Sequence, residues 1–391
     1  MRRKFLLGPF IACLAAWTYG NGTLPLLPLY ALDLGASRTA SGFFLAFAYL
    51  CIAVGTMAAG MLPETFRHRR LLLVASGVPF IVLTWLTGHV ANVLQLAIVT
   101  GVIYLAGGVI LSQATVLVGL EAGSEDRGTA IGIVGMTNGL GGLVGGLGVG
   151  YIANRFGYRG VFNSLAVFCI LIMIGGFISV EPPVSSPSRA RDESVAGGRP
   201  LGGMLILLLA ATLLVAVTNG PGNLGRSLSM NARGFSKSAI TLTASIQGAV
   251  SIGFPLLLGW LSDRMGRRRI MVATFLAVSA SLVLLAFSGS LWQFAVFAVL
   301  YAFLSVPLGV GSAYVVDIVH SGNVGKGVSL FQAMFWVGSI AGMALTGYAF
   351  EKLGIPIPVL VSAFFPIAGA ILLLFIRGKK RQAATTPPAS G

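Results

Sequence analysis

Long uninterrupted apolar runs organise this chain of 391 residues, with none of the strict alternation that marks a half-buried strand. Twelve runs stand out: 6–31, 39–62, 71–88, 93–119, 128–152, 159–180, 202–225, 238–260, 270–287, 291–317, 328–350 and 356–376. A helix needs about 20 apolar residues to cross the hydrocarbon of a bilayer. Continuous runs of that length predict membrane helices, whereas a barrel would alternate lipid-facing and lumen-facing residues. The first run follows Met1-Arg-Arg-Lys4 as a signal peptide would, but it outlasts an ordinary h-region and lacks a small-residue cleavage site. It reads as a retained first helix.

Charge then orients the spans. Only 9% of residues are charged, and the net charge of +15 falls in short clusters between the apolar runs. That placement speaks for topology rather than for nucleic acid, which is not an expected partner. With the N-terminus cytoplasmic, the inner segments hold 19 Lys and Arg. The outer segments hold the other seven: Arg38, Arg155, Arg159, Arg226, Arg233, Lys237 and Lys352. Both termini are therefore expected in the cytoplasm, with the chain multi-pass in the cytoplasmic membrane. Residues 181–200 are rich in Pro, Ser, Gly and mixed charge and predict a cytoplasmic linker. The expected organisation is a six-helix bundle over 1–180, the linker, a second six-helix bundle over 201–376, and a disordered tail over 377–391.

The two halves repeat. At a shift of 199, Gly35-Ala-Ser-Arg38 lies over Gly234-Phe-Ser-Lys237, Gly60 over Gly259, Leu62 over Leu261, Glu64 over Asp263, and Arg127-Gly128 over Lys326-Gly327. Later the shift becomes 197, with Gly150-Tyr151 over Gly347-Tyr348 and Gly157 over Gly354. Six spans is an even number, so the repeats run in the same sense, related by an axis along the membrane normal.

The most specific motif is Gly259-Trp-Leu-Ser-Asp-Arg-Met-Gly-Arg-Arg-Arg269, a basic turn between spans 8 and 9. Gly259, Asp263, Arg264, Gly266, Arg267 and Arg268 match the pattern Gly-x-x-x-Asp-Arg/Lys-x-Gly-Arg-Arg/Lys, and the turn resembles the signature of the major facilitator superfamily of transporters. The resemblance covers the whole twelve-span plan and implies an all-α fold of two parallel six-helix repeats. It also implies a cytoplasmic latch: Gly259 for close helix approach, Gly266 for the reversal, and Asp263 toward the N-terminal end of span 5. The arginines would pair with Glu121 or Asp317. A positive cluster that sets topology is the plainer reading. The first-half copy keeps only Gly60, Glu64 and Arg69. Gly139, Gly141, Gly142, Gly145, Gly146, Gly148 and Gly150 make span 5 similar to the fifth helix of drug and metabolite antiporters, although the expected Gly-Pro pair is absent.

In that superfamily spans 1, 4, 7 and 10 line the substrate site, helped by 2, 5, 8 and 11. Here those spans carry Tyr19, Asn21, Tyr104, Gln113, Asn138, Asn219, Asn223, Gln247, Tyr301, Gln332 and Trp336. Singly, such residues also bond across helices; together they imply a neutral or weakly cationic cavity with aromatic walls. A multiply charged anion would require buried Arg or Lys. Arg226 reads as a residue near an outer mouth, where it would attract an anion or, the plainer reading, make a topological or lipid contact. The fourth span has no Arg and no span has a mid-depth carboxylate, so Asp33 and Asp317 are the carboxylates to test for proton coupling. Cys13, Cys51, Cys169 and the three histidines show no metal-ligand spacing, and neither metal nor cofactor is expected. The expected function is transport of a small, largely apolar organic solute by a monomer in lipid, as proton-coupled efflux. The alternatives are a facilitator or importer of a neutral nutrient, or a non-transporting receptor with the same bundle. Nothing resembles an enzyme's catalytic cluster.

Overall fold

The computed structural model describes residues 4–62, 68–122, 127–180, 202–319 and 324–376. The linker, the tail and Glu64 lie outside the described residues. Those described form fifteen α-helices and one short 3-10 turn, with no strand among them. The first half contains α1 (Lys4–Thr23), α2 (Leu27–Asp33), α3 (Arg38–Gly60), α4 (Arg69–Thr87), α5 (Val93–Glu121) and α6 (Arg127–Ile178). The second contains α7 (Gly203–Val217), α8 (Asn219–Ala232), α9 (Lys237–Met265), α10 (Arg267–Phe287), α11 (Leu291–Tyr301), α12 (Val306–Ile318), α13 (Val324–Leu353), α14 (Pro356–Ser362) and α15 (Phe364–Leu374).

These helices carry the twelve expected spans, with breaks the hydropathy did not show. Among the described residues, nine helices are long and apolar enough to cross a membrane, or ten when the two arms of α9, bent by 47°, count as one span. One of the nine is α6, which holds two spans joined at Gly157 with φ 62°. The remaining span is α1 with α2, broken next to Pro25 and Pro28, where ring and missing N–H interrupt the helix. Span 7 is likewise α7 plus α8, broken at Thr218, and it runs to Ala232 rather than stopping near 225. Arg226 therefore sits inside a span, not in an outer segment.

Local geometry supports the internal repeat. Gly35 and Gly234 both take positive φ, 88° and 77°, and so do Gly157 and Gly354, at 62° and 72°. Each pair aligns in the repeat, and each glycine occupies a left-handed position that a Cβ would strain. Ser37 and Ser236, also equivalent, cap α3 and α9 by accepting from the N–H three residues on.

The halves meet along glycine seams. A Cβ at Gly42 would stand 2.6 Å from Gly347 Cα, joining α3 to α13. Along α6 and α9 the contacts pair 150 with 241, 146 with 245, 142 with 248 and 139 with 252; the paired numbers add to 390 or 391, as an antiparallel register requires. The seam then stops. Gly132 and Gly259, the next positions in that register, would each place a Cβ with nothing within 4 Å outside its own helix. The bundle is zipped toward the Asp33 face and parted toward the Asp263 face.

Candidate functional site: a central cavity between two gates

On the Asp33 face, polar groups tie one half to the other. Tyr158 Oη donates to Asp33 Oδ2 at 2.9 Å. Lys237, from the second half, pairs with the same oxygen at 3.8 Å and lies over the Tyr158 ring at 3.8 Å. Burial, and the neighbouring Asp33 carboxylate, push the Tyr158 hydroxyl above its usual range, so it stays protonated and donates. The Arg38 N–H donates to Glu351 Oε2 at 2.9 Å, at the mouth of the α3–α13 seam. Asn154 Nδ2 donates to Ser238 Oγ at 2.7 Å, and Ser238 Oγ to the Gly150 carbonyl at 2.8 Å. Asp33, a carboxylate to test for proton coupling, thus sits in the contact that ties the two halves together on this face.

On the Asp263 face the signature turn folds as its residues require. Gly266 adopts φ 95° between α9 and α10, a conformation that favours glycine. Arg267 joins Asp263 at 3.5 Å and Asp317 at 3.1 Å, linking three spans of one half. Arg268 Nη1 donates to the Ile376 carbonyl at 2.9 Å, and Arg264 stacks on Trp260 at 3.9 Å. Glu121 Oε1 is buried without a hydrogen-bond partner among the described residues. One expectation needs correction: Gly259 makes no close helix approach here, because the seam that would bring α6 to it is open. In the first half, Gly60 is also uncrowded, with Ser112 Oγ at 3.7 Å from its Cβ position. Arg69 is buried and donates to Gln113 Oε1 at 3.1 Å, while Gln113 Nε2 donates to the Ala59 carbonyl at 2.8 Å. Gln113, expected in the cavity, is instead committed to the foot of the first bundle.

Between the gates lies a cavity of about 520 Å³, counting its mouth. Tyr19, Asn21, Tyr104 and Trp336 line it, as the sequence predicted. Trp17, Leu24, Tyr49, Ile52, Phe80 and Leu111 are also part of the wall, which contains no carboxylate. Tyr49 meets Trp336 edge to face at 6.1 Å, so the wall spans both halves. Asn21 Nδ2 donates to the Asn138 carbonyl at 2.9 Å, fixing the break of span 1 against span 5.

The remaining predicted polar residues gather in the second half. Asn219 Nδ2 donates to Ser339 Oγ at 2.7 Å, and Asn223 Nδ2 to Asn219 Oδ1 at 3.2 Å. Arg226 Nη1 donates to Gln247 Oε1 at 2.8 Å, and Arg226 Nη2 to Asn223 Oδ1 at 3.3 Å. Arg226 is only 1% exposed, which overturns its outer-mouth assignment. Tyr301, expected in the cavity, is buried and donates to the Thr218 carbonyl at 2.9 Å, a second hydrogen bond beside the one that carbonyl accepts from the Gly222 N–H at 2.9 Å. Gln332 is exposed on α13, away from the cavity lining. Tyr49 and Trp17 were missed because the sequence alone does not show which aromatic residues of a span turn toward the cavity.

The comparisons with known proteins agree with this architecture. A multidrug resistance protein MdtG from Dickeya zeae (strain Ech586) is 26% identical over 360 residues, 87% of this chain and 86% of that one. A protein of the same name from Salmonella choleraesuis (strain SC-B67) is 23% identical over 307 residues, 75% of each chain. Among solved structures, the nucleoside transporter NupG, as a point mutant, superposes with a TM-score of 0.74 at 12% identity, covering 95% of this chain and 99% of that one. A bacterial homologue of the human lysosomal transporter Spinster, inward-facing and unoccupied, gives 0.67 at 15% identity, covering 95% and 94%. The family profile described as Major Facilitator Superfamily matches residues 5–230 and 201–391, nearly the whole chain. With twelve spans in two repeats, a glycine-seamed interface and a central cavity, this chain belongs to the Major Facilitator Superfamily and is a multi-pass membrane transporter.

Proposed function

We propose that the protein exports a small, largely apolar organic solute across the cytoplasmic membrane by alternating access, as a monomer in lipid with both termini cytoplasmic. The carrying observation is the one-sided seam: the halves are zipped toward the Asp33 face and parted toward the Asp263 face, around an aromatic cavity. In the expected orientation this is an inward-facing conformer. The rocking that reverses it would close the Asp263 face along the same register and break the Asp33–Lys237 contact. The names of the MdtG relatives, multidrug resistance proteins, support export. The aromatic walls support an apolar solute body.

Proton coupling fits Asp33 and Asp317, each held in an ion pair that protonation would weaken. The cavity wall itself has no carboxylate, and that favours a facilitator as the second reading. Reconstituted vesicles with an imposed pH gradient separate the two. Solute flux that follows the gradient supports antiport. Flux that ignores it supports the facilitator, and a folded protein with no flux for a broad solute panel would overturn transport of this class.

A further inference from the structure

Arg226 is a buried guanidinium within span 7 that is not part of the cavity lining. It lies six residues before the end of α8, and Gln247 lies ten residues after the start of α9, about 9 and 15 Å from those helix ends at 1.5 Å per residue. The side chain is 1% exposed, and Nε is buried with no hydrogen-bond partner. Its two recorded acceptors, Gln247 Oε1 and Asn223 Oδ1, are neutral amide oxygens. Among the described residues it makes no ion pair, since the acids that do pair are Asp33, Asp263 and Asp317, at the two gates. A cation held this way is stabilised by dipoles but not neutralised, an arrangement that persists in membranes mainly at functional sites.

The surroundings place it beside the cavity. Tyr49, which lines the cavity, and Tyr301 stand within electrostatic reach of Arg226. Gly248, next to Gln247, packs on Gly142, and a Cβ at Gly142 would lie 3.7 Å from Asn21 Nδ2, another cavity residue. The guanidinium is not itself a lining residue, and Tyr49 is the lining residue within its electrostatic reach, so a solute in the cavity would meet it only after that part of the wall moves.

We propose that Arg226, positioned by Gln247 and Asn223 and screened by Tyr49, is a subsite for a single oxyanion. The transported solute class is then an amphipathic monoanion: an apolar body on Trp17, Phe80, Tyr104 and Trp336, and one carboxylate-like head on Arg226. This deepens the transport reading and rests on it. Of the neutral or weakly cationic cavity that the sequence implied, it selects the weakly cationic form. A guanidinium offers several N–H donors in a planar fork that matches an oxyanion, and a head group bound there would supply the missing counter-charge.

Three probes differing only in head group test the proposal: 4-phenylbutyrate, 4-phenylbutyramide and 4-phenylbutylamine. Each is titrated into the full-length protein in lipid nanodiscs, with Trp85, Trp260 and Trp292 replaced by Phe so that the fluorescence of Trp17 and Trp336 is the readout. The carboxylate is expected to bind at least about tenfold more tightly than the amide, one charge-assisted hydrogen bond's difference. Arg226→Gln should remove that preference, and Arg226→Lys should restore part of it. If amide and carboxylate bind alike in the unaltered chain, the oxyanion subsite is wrong while the apolar cavity stands; this comparison decides even where a variant fails to fold. If the preference survives in folded Arg226→Gln, Arg226 is only a strut between α8 and α9. A flat response to all three would overturn both the subsite and the cavity on which it rests.

Discussion

Placing leucine at Gly259 should jam the transporter open toward the Asp263 face. In the present conformer a Cβ there meets nothing within 4 Å outside its helix, so Gly259→Leu costs no packing, and it removes a helix-weakening glycine. The register of α6 against α9 pairs position 259 with 132 once the seam extends. Where the seam is already closed, Cβ positions at Gly139 and Gly248 would lie 2.8 Å from Gly248 O and 2.6 Å from Leu143 N, so any side chain forces the helices apart. Overpacking of this kind costs about 1–3 kcal/mol. A bias of that size shifts a two-state population about 5- to 150-fold. Gly146→Leu, inside the closed seam against Ser245, should push the equilibrium the opposite way. The assay uses a cysteine in place of cavity residue Leu24 in a chain freed of Cys13, Cys51 and Cys169, labelled by impermeant maleimide from each side. Gly259→Leu should restrict labelling to the Asp263 face and slow counterflow. Gly146→Leu should favour labelling from the Asp33 face. If both variants shift labelling in the same direction, or neither shifts it, the register argument is wrong.

Further outcomes follow from individual contacts. Asp263→Asn should slow turnover more than it weakens solute binding, because Asp263 pairs with Arg267 far from the cavity; unchanged turnover in vesicles would remove it from the mechanism. Lys237→Gln should loosen the Asp33 closure only modestly, by a few tenths to about 1 kcal/mol, since both partners are partly exposed, at 32% and 59%. Its effect on labelling should fade at high salt, and a salt-independent effect would contradict the ion-pair account. Tyr301→Phe removes one of the two hydrogen bonds to the Thr218 carbonyl, which keeps that from the Gly222 N–H, and should lower stability by about 0.5–1.5 kcal/mol with binding retained, read by thermal unfolding in lipid.

How much of this was legible depends on what signal each residue emitted. Continuous apolar runs gave the spans, and aligned positive-φ glycines such as Gly35 and Gly234 were already visible as repeat matches. Span 7 ended too early in the sequence because Asn219, Pro221, Asn223 and Arg226 look like loop chemistry. The fold turns that stretch into helix by bonding those groups to one another and to Ser339 and Gln247, interactions no local pattern reveals. Four of the fourteen residues that line the cavity were legible, Tyr19, Asn21, Tyr104 and Trp336, because amides and aromatics stand out among aliphatics. Gln113 was misplaced because depth along a span does not show that Arg69 reaches across to claim it. The role of Gly259 stayed hidden for another reason: it belongs to a contact that this conformer does not make.

The central claim is that the two faces open in alternation about one cavity. Spin labels on two cysteine pairs, Asn154→Cys with Ser238→Cys and Gly132→Cys with Gly259→Cys, report the separation across each face in one molecule type at a time. Adding a transported solute should lengthen the first distance and shorten the second within the same range of solute concentration. Two distances that grow together, or that both stay fixed while flux proceeds, would contradict the account.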